Sequence, residues 1–329
     1  MSESKKPVRP FSLQLSVEDV RPATQEEKLQ LYAMRQSVTY WKDAWKRLKR
    51  NKVAMVSLVA IILITLFAVL GPIISPYAYD QQIRGSERLS PCLQHPFGTD
   101  KLGRDLLVRN MFGARISLLV GVFCTLIVIA IGSLYGAFSG IKGGAVDNAM
   151  MRFLEILYSI PDLLIVIMLQ IALKKPLSDL FPNAAFGTAI ISIFITFALL
   201  YWVNTARMVR GQVLVLKQQE YVTAARAMGA GTGKIILRHL IPNSIGIILV
   251  TAMFQIPAAI FTESFLSFIG LGVSAPMPSL GSLCSDALDG FESYPYRMLF
   301  PALLISMIML AFNQFGDGLR DALDPRLRN

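Results

Sequence analysis

EYVTAARAMGAGTGKIILRHLIPN, Glu220 to Asn243, is a polar, alanine-rich stretch set between apolar runs each long enough to cross a bilayer. Its spacing reads as a helical hairpin shaped to fit another protein. Ala224, Ala225 and Ala227 make small-residue turns that end at Gly229. Glycine takes the left-handed conformation that stops one helix and lets another begin. A basic amphipathic turn follows, with Lys234 and Arg238, and Pro242 opens the next apolar run.

Outward from that hairpin the chain is 53% hydrophobic and only 16% charged, too little polar surface to cover a fold in water. About twenty apolar residues span a bilayer as a helix. Six such segments can be placed: Val53 to Ser75, Ile116 to Gly140, Asn148 to Leu173, Ala184 to Ala206, Pro242 to Gly270 and Met298 to Gly316. The third carries Glu155 and Asp162, and the fifth carries Glu263. Buried helices of a soluble domain rarely run so long. The expected fold is therefore all-α, a polytopic membrane protein with six transmembrane helices.

Orientation follows from the basic residues, which stay on the cytoplasmic side of short loops. With both termini inside, twenty-three of the thirty-two Lys and Arg residues are cytoplasmic and the hairpin lies in the cytoplasm. The expected organisation is a polar cytoplasmic tail over 1–37, an amphipathic interfacial helix over 38–52, a six-helix domain over 53–316 with a cytoplasmic loop 207–241, and a cytoplasmic tail over 317–329. In the interfacial helix Trp41, Trp45 and Leu48 recur on one face among Lys42, Lys46, Lys49 and Arg50, the pattern of a helix lying on membrane lipid. Residues 1–36 lack the apolar core of a secretory signal, so the first span reads as an uncleaved anchor. The net charge of +10 is accounted for by this topology and by anionic lipid, with no case for nucleic acid.

Catalytic chemistry finds little support. Three cysteines are too few and too scattered for a metal site, and Cys92 and Cys284, both in outer loops, read as free thiols rather than a bridge. His95 and His239 each lack a second ligand at metal spacing and read as structural. The run GAGTGKI, Gly229 to Ile235, fails as a P-loop, which needs four residues between its glycines and a hydroxyl after the lysine. No serine has an identifiable base. The chain is expected to be no enzyme, and an ATP-powered role would need a partner to hold the nucleotide.

From about Trp41 to Arg328 the chain resembles the C-type permease subunit of bacterial oligopeptide and dipeptide ABC importers. The resemblance rests on Ala224, Ala225, Gly229 and Pro242 of the hairpin, which match the family's coupling loop, and on three further runs. These are HPFGTDKLGRDLLVR (His95 to Arg109), ESFLSFIGLG (Glu263 to Gly272) and FGDGLRDALDPRLR (Phe315 to Arg328). It implies a type I ABC importer permease architecture in the bacterial cell membrane. It also implies a heterodimer with a homologous B-type permease, two cytoplasmic ATPase subunits that hold ATP and Mg, and an extracytoplasmic solute-binding protein, with no cofactor in this chain. Nickel importers share the architecture, so nickel or another small solute is the alternative cargo. The family's acidic residue before the alanines is Thr223 here, and Glu220 lies one helical turn earlier. Residues three apart share a face, so Glu220 is the candidate to offer its carboxylate to an ATPase groove.

Acidic residues inside spans are functional candidates. Glu155 lies about two turns from the cytoplasm and Glu263 near the outer end, which leaves Asp162, beside Pro161 at mid-depth, as the candidate for a translocation pathway. Pro161 and Pro257 can each kink their helices. An ion-driven secondary transporter, the reading from another class, calls for ionisable relays or broken helices at mid-membrane; apart from Asp162, neither is evident in the sequence.

Overall fold

The computed structural model describes residues 40–182, 187–273 and 275–323. The expected polar tail, the start of the fourth span at Ala184, and the last six residues with Arg326 and Arg328 lie outside them. The chain divides into two units, Met1–Asp43 and Ala44–Asn329, and the packing below is that of the second.

Its elements are helices: α1 (Tyr40–Arg50), α2 (Lys52–Ile74), α3 (Leu106–Lys142), α4 (Gly144–Tyr158), α5 (Asp162–Leu180), α6 (Thr188–Leu200), α7 (Trp202–Leu216), α8 (Glu220–Ala227), α9 (Thr232–Ile235), α10 (Ile241–Asn243), α11 (Ile245–Phe268), α12 (Leu280–Leu288) and α13 (Tyr296–Leu323). A π-turn, Ile236–Leu240, joins α9 to α10. By length and composition α2, α3, the joined α6 and α7, α11 and α13 can each cross a membrane, and α4 with α5, bent by 79° at their break, makes a sixth where the pair is taken as one broken span rather than a re-entrant loop.

That break corrects the expectation of one span from Asn148 to Leu173 and of a chain without broken helices. Proline lacks the N–H its helix would need and pushes the residue before it out of helical geometry. The chain accordingly leaves the helix at Ser159 and re-enters it after Pro161, whose φ and ψ are −55° and 120°. Pro257, by contrast, sits inside α11 without interrupting it.

Most helices run further than the apolar runs. At its start α3 gains ten residues, including Arg109 and Arg115, because both guanidiniums find acceptors across the fold: Arg115 donates to the Ala68 and Val69 carbonyls at 3.1 and 2.6 Å. Residues 207–216, read as the beginning of a loop, continue α7. Gly316, read as the end of the last span, and Gly318, read as part of the tail, lie inside α13, so the expected tail is helical as far as Leu323. A Cβ at Gly318 would stand 2.3 Å from that of Ala54; its absence lets α13 close on α2.

The core is built on α3. Gly132, Gly136 and Gly140 form a stripe at four-residue spacing against α7, and a Cβ at Gly136 would meet the Ala206 carbonyl oxygen at 2.3 Å. Small residues of this kind let helix backbones approach closely in membranes, where packing rather than water expulsion drives association. Ile116, Val120, Cys124 and Val128 of α3 pack with Leu154, Val166, Ile193, Phe197 and Trp202. Apolar faces of α2, α5 and α13 stay exposed, among them Leu63, Ile73, Met168, Leu303 and Leu310, as suits helices whose solvent is lipid.

In α1 the expected face divides. Trp45 is half exposed, with Lys49 Nζ 5.3 Å from its ring, whereas Leu48 is buried with Ala54 and Ala322. Leu48 therefore anchors α1 inward rather than sharing the tryptophan face.

Candidate functional site

The hairpin hangs from α7. Past Leu216, Lys217 closes the helix by donating from its backbone to Val213 O at 2.9 Å, and its Nζ reaches the Gly140 carbonyl at 2.9 Å. Two turns back, Arg210 holds Asp147 of α4 through two hydrogen bonds of 2.6 Å each, and Ser139 of α3 donates to the same carboxylate at 2.5 Å. Three helices thus meet on one buried carboxylate just behind the hairpin. Sequence reading missed Asp147, whose partner lies 63 residues away; an acidic residue at the very edge of an apolar run was the available signal.

α8 has two opposed stripes. Glu220, Thr223, Ala224 and Ala227, at the i, i+3, i+4, i+7 spacing of one helix face, are all exposed. On the other side Val222 and Ala225 are buried, Ala225 at 3% exposure, against Val209, Val213, Ile235, Ile236, Leu240 and Ile248. The two expected alanines therefore part company: Ala224 faces outward with Glu220, and Ala225 seats α8 on its own core.

Gly229 adopts the left-handed conformation expected of it, with φ of +81°. Its N–H donates to Arg226 O at 2.9 Å and that of Ala230 to Ala225 O at 3.0 Å, the pair of bonds that closes a helix in a Schellman motif. Met228 just before the turn, at 82%, and Lys234, Leu237 and Arg238 beyond it are exposed. Pro242, exposed at the foot of the hairpin, has no N–H for the carbonyl one turn back, and the π-turn Ile236–Leu240 precedes it. His239 lies 6.3 Å from Tyr221, ring to ring, and burial pushes the Tyr221 hydroxyl above its ordinary pKa.

A second feature lies at the helix breaks. Asp162, exposed at the first residue of α5, lines a cavity of about 380 Å³ with Tyr158, Ser159, Pro161, Tyr201 and Asn204. Tyr201 is itself the interruption between α6 and α7, so two breaks in the middle of two crossings face one space. Arg207 packs 4.9 Å from the Tyr158 ring beside it. Tyr201 and Asn204 were not singled out in the sequence, since neither carries charge.

Glu263, read as lying near the outer end, is fully buried. Ser117 and Ser267 donate to its two carboxylate oxygens at 2.7 Å each, and Ser264 lies 3.4 Å away. Ser117 also accepts from the Leu280 N–H at 3.4 Å, so this carboxylate ties α11, α3 and α12 together instead of facing a pathway. Glu155, also read near a span's end, is exposed and paired with Arg152 at 2.9 Å. Cys92 and Cys284 are free, as expected, and His95 is a buried structural residue, its Nδ1 2.7 Å from Asp105.

Residues 129–329 match the family described as binding-protein-dependent transport system inner membrane component. Residues 39–96 match the N-terminal transmembrane domain of oligopeptide transport permease C. The chain is 47% identical to the oligopeptide transport system permease protein OppC of Bacillus subtilis, over 89% of this chain and 92% of that one. It is equally identical, at 47%, to the dipeptide transport system permease protein DppC of the same organism, over 89% and 88%. With the Escherichia coli K12 OppC the identity is 42%, over 88% and 92%.

Proposed function

The chain belongs to the family of binding-protein-dependent transport system inner membrane components, and we propose that it forms one half of the membrane channel of an ATP-driven oligopeptide importer. It pairs with a homologous B-type permease. Two cytoplasmic ATPase subunits, which hold ATP and Mg, dock on the hairpin, and an extracytoplasmic binding protein delivers cargo to the opposite end. Both termini and the hairpin are cytoplasmic in this reading.

The observation that carries it is the outward stripe of α8. Glu220, Thr223, Ala224 and Ala227 are exposed on one side, and the other side is fastened to α3 and α7 through Val222 and Ala225. A helix with a flat small-residue face and one carboxylate at its start fits a groove, with the alanines permitting close approach and Glu220 setting orientation. ATP binding draws the ATPase pair together, carries the hairpins with it and opens the permease outward; hydrolysis resets it inward. Asp162, Tyr201 and Asn204 at the paired helix breaks line the path. That path is roomy and sparsely charged, as passage of peptides with varied side chains requires, and selection rests with the binding protein.

Purification from the native membrane in mild detergent tests the reading. A second permease and P-loop ATPases should copurify with ATPase activity. Recovery of this chain alone and inactive would overturn the proposal and favour the ion-driven class.

A further inference from the structure

At the end of the fold opposite the hairpin, the loop before α3 folds against α12 and the start of α13. Asp100 organises it: its Oδ1 accepts the Leu102 and Arg104 N–H groups at 2.8 and 3.0 Å, and its Oδ2 accepts Arg104 Nε at 2.6 Å. Arg109 reaches Asp286 at 3.4 Å and the Tyr79 carbonyl at 3.3 Å. Lys101 pairs with Asp289 at 3.4 Å, in the open. A cavity of about 20 Å³ lies among Asp100, Arg104, Arg109, Asp286 and Arg297.

Arg297 stands apart in that cluster. It is 5% exposed and stacks 4.2 Å from the Tyr294 ring, and among the described residues it forms no ion pair. Its Nε and Nη2 are buried without a protein acceptor, whereas Arg109 Nε, also without a hydrogen bond, lies 3.7 Å from Asp100 Oδ2. A buried unpaired donor is costly, and a charged one more so. Nε and Nη2 share one edge of the guanidinium, the two-pronged edge that receives a carboxylate. Both oxygens of Asp100 are already engaged, Asp286 is turned to Arg109, and among the described residues no ion pair from either reaches this edge.

We propose that Arg297, with Arg109 behind it, is the seat for an acidic side chain of the extracytoplasmic binding protein. The proposal rests on the importer reading above. The cavity that Arg297 helps to line holds about one water-sized group, the size of a carboxylate oxygen and too small for a free phosphate. The cargo's own carboxylate is disfavoured as occupant because the cavity at Asp162 and Tyr201 shares no lining residue with this seat.

The test uses the whole complex in lipid nanodiscs, titrated with its binding protein while ATP hydrolysis is followed. Arg297→Gln should raise the half-stimulating concentration roughly tenfold or more, the loss typical of truncating a buried charge-paired contact. Basal hydrolysis should be unchanged, and the melting temperature equal or higher, because an uncompensated buried charge has gone. Arg297→Lys, which keeps charge but not the fork, should fall between. The proposal is overturned by an unchanged half-stimulating concentration in Arg297→Gln, by loss of the second permease from the complex, or by a shift seen only with peptide-loaded binding protein, which would assign the seat to cargo. A wild-type complex that ignores the binding protein altogether would instead sink the importer reading itself.

Discussion

Exchanging Ala224 and Ala225 for arginine, one at a time, separates docking from folding within two adjacent residues. What holds α8 in place is small. Its inner stripe consists of Val222 and Ala225, and burying a valine contributes about 1.5–3 kcal/mol and an alanine methyl roughly another 0.8 kcal/mol. A guanidinium forced into that seat without a partner costs several kcal/mol, so Ala225→Arg should unseat the helix. Ala224 is exposed; arginine there should change stability by no more than about 0.5 kcal/mol while laying a long side chain across the proposed docking face. Two readouts on the reconstituted complex resolve the cases: peptide-driven uptake with ATP hydrolysis, and hydrogen exchange of the amides of residues 220–227. Both variants should lose uptake, but only Ala225→Arg should lose amide protection. Arg226→Ala, on the flank between the stripes, should keep both. Full uptake by Ala224→Arg would refute the docking assignment, and faster exchange in that variant would show that the two faces have been wrongly divided.

Asp147→Asn removes one member of a two-bond ion pair whose side chains are 8% and 29% exposed. It should cost roughly 3 kcal/mol, the lower end of what breaking a buried pair does, read as a drop in the melting temperature of the solubilised protein. Adding Arg210→Gln should restore part of it, and simple additivity would refute the clamp. Asp162→Asn should reduce uptake severalfold with no change in melting temperature, because the carboxylate accepts just a local bond from the Leu163 N–H; unchanged uptake would remove Asp162 from the pathway. Burial pushes the Cys284 thiol up to about 11, so at pH 8 about one molecule in a thousand carries the reactive thiolate. Maleimide should therefore label exposed Cys92 and spare Cys284, and equal labelling would contradict the packing of α12.

Periodicity and length made the crossings legible, and glycine chemistry made the turn at Gly229 legible, because both are local properties of the chain. Helix extent was not. Arg109, Arg115, Gly316 and Gly318 look like boundaries in one dimension, yet each is accommodated by a partner far away in sequence. Pro161 announced a kink, but not that the chain leaves the helix altogether with a bend of 79°, nor that the second interruption at Tyr201 lines the same cavity. Nor does composition distinguish Ala224 from Ala225: which alanine faces out is settled by Val209, Val213 and Leu240 on other elements. The Ser267 that serves Glu263 lies one turn along the same helix and was readable; Ser117, 146 residues away, was not. The stripe of Gly132, Gly136 and Gly140 was readable as well, at the spacing that marks close helix contact in membranes.

That stripe has a mechanical consequence. Gly132, Gly136 and Gly140 of α3 bring it close to the Trp202, Ala206 and Arg210 carbonyls of α7, so backbone meets backbone at three successive turns and the two helices pack as one stiff unit. α3 runs 37 residues without interruption, about 55 Å at the helical rise, from the clamp behind the hairpin to the loop of Asp100 and Arg104. That uninterrupted helix is the direct link between the two ends, whereas α4 and α5 alongside are broken between Tyr158 and Asp162.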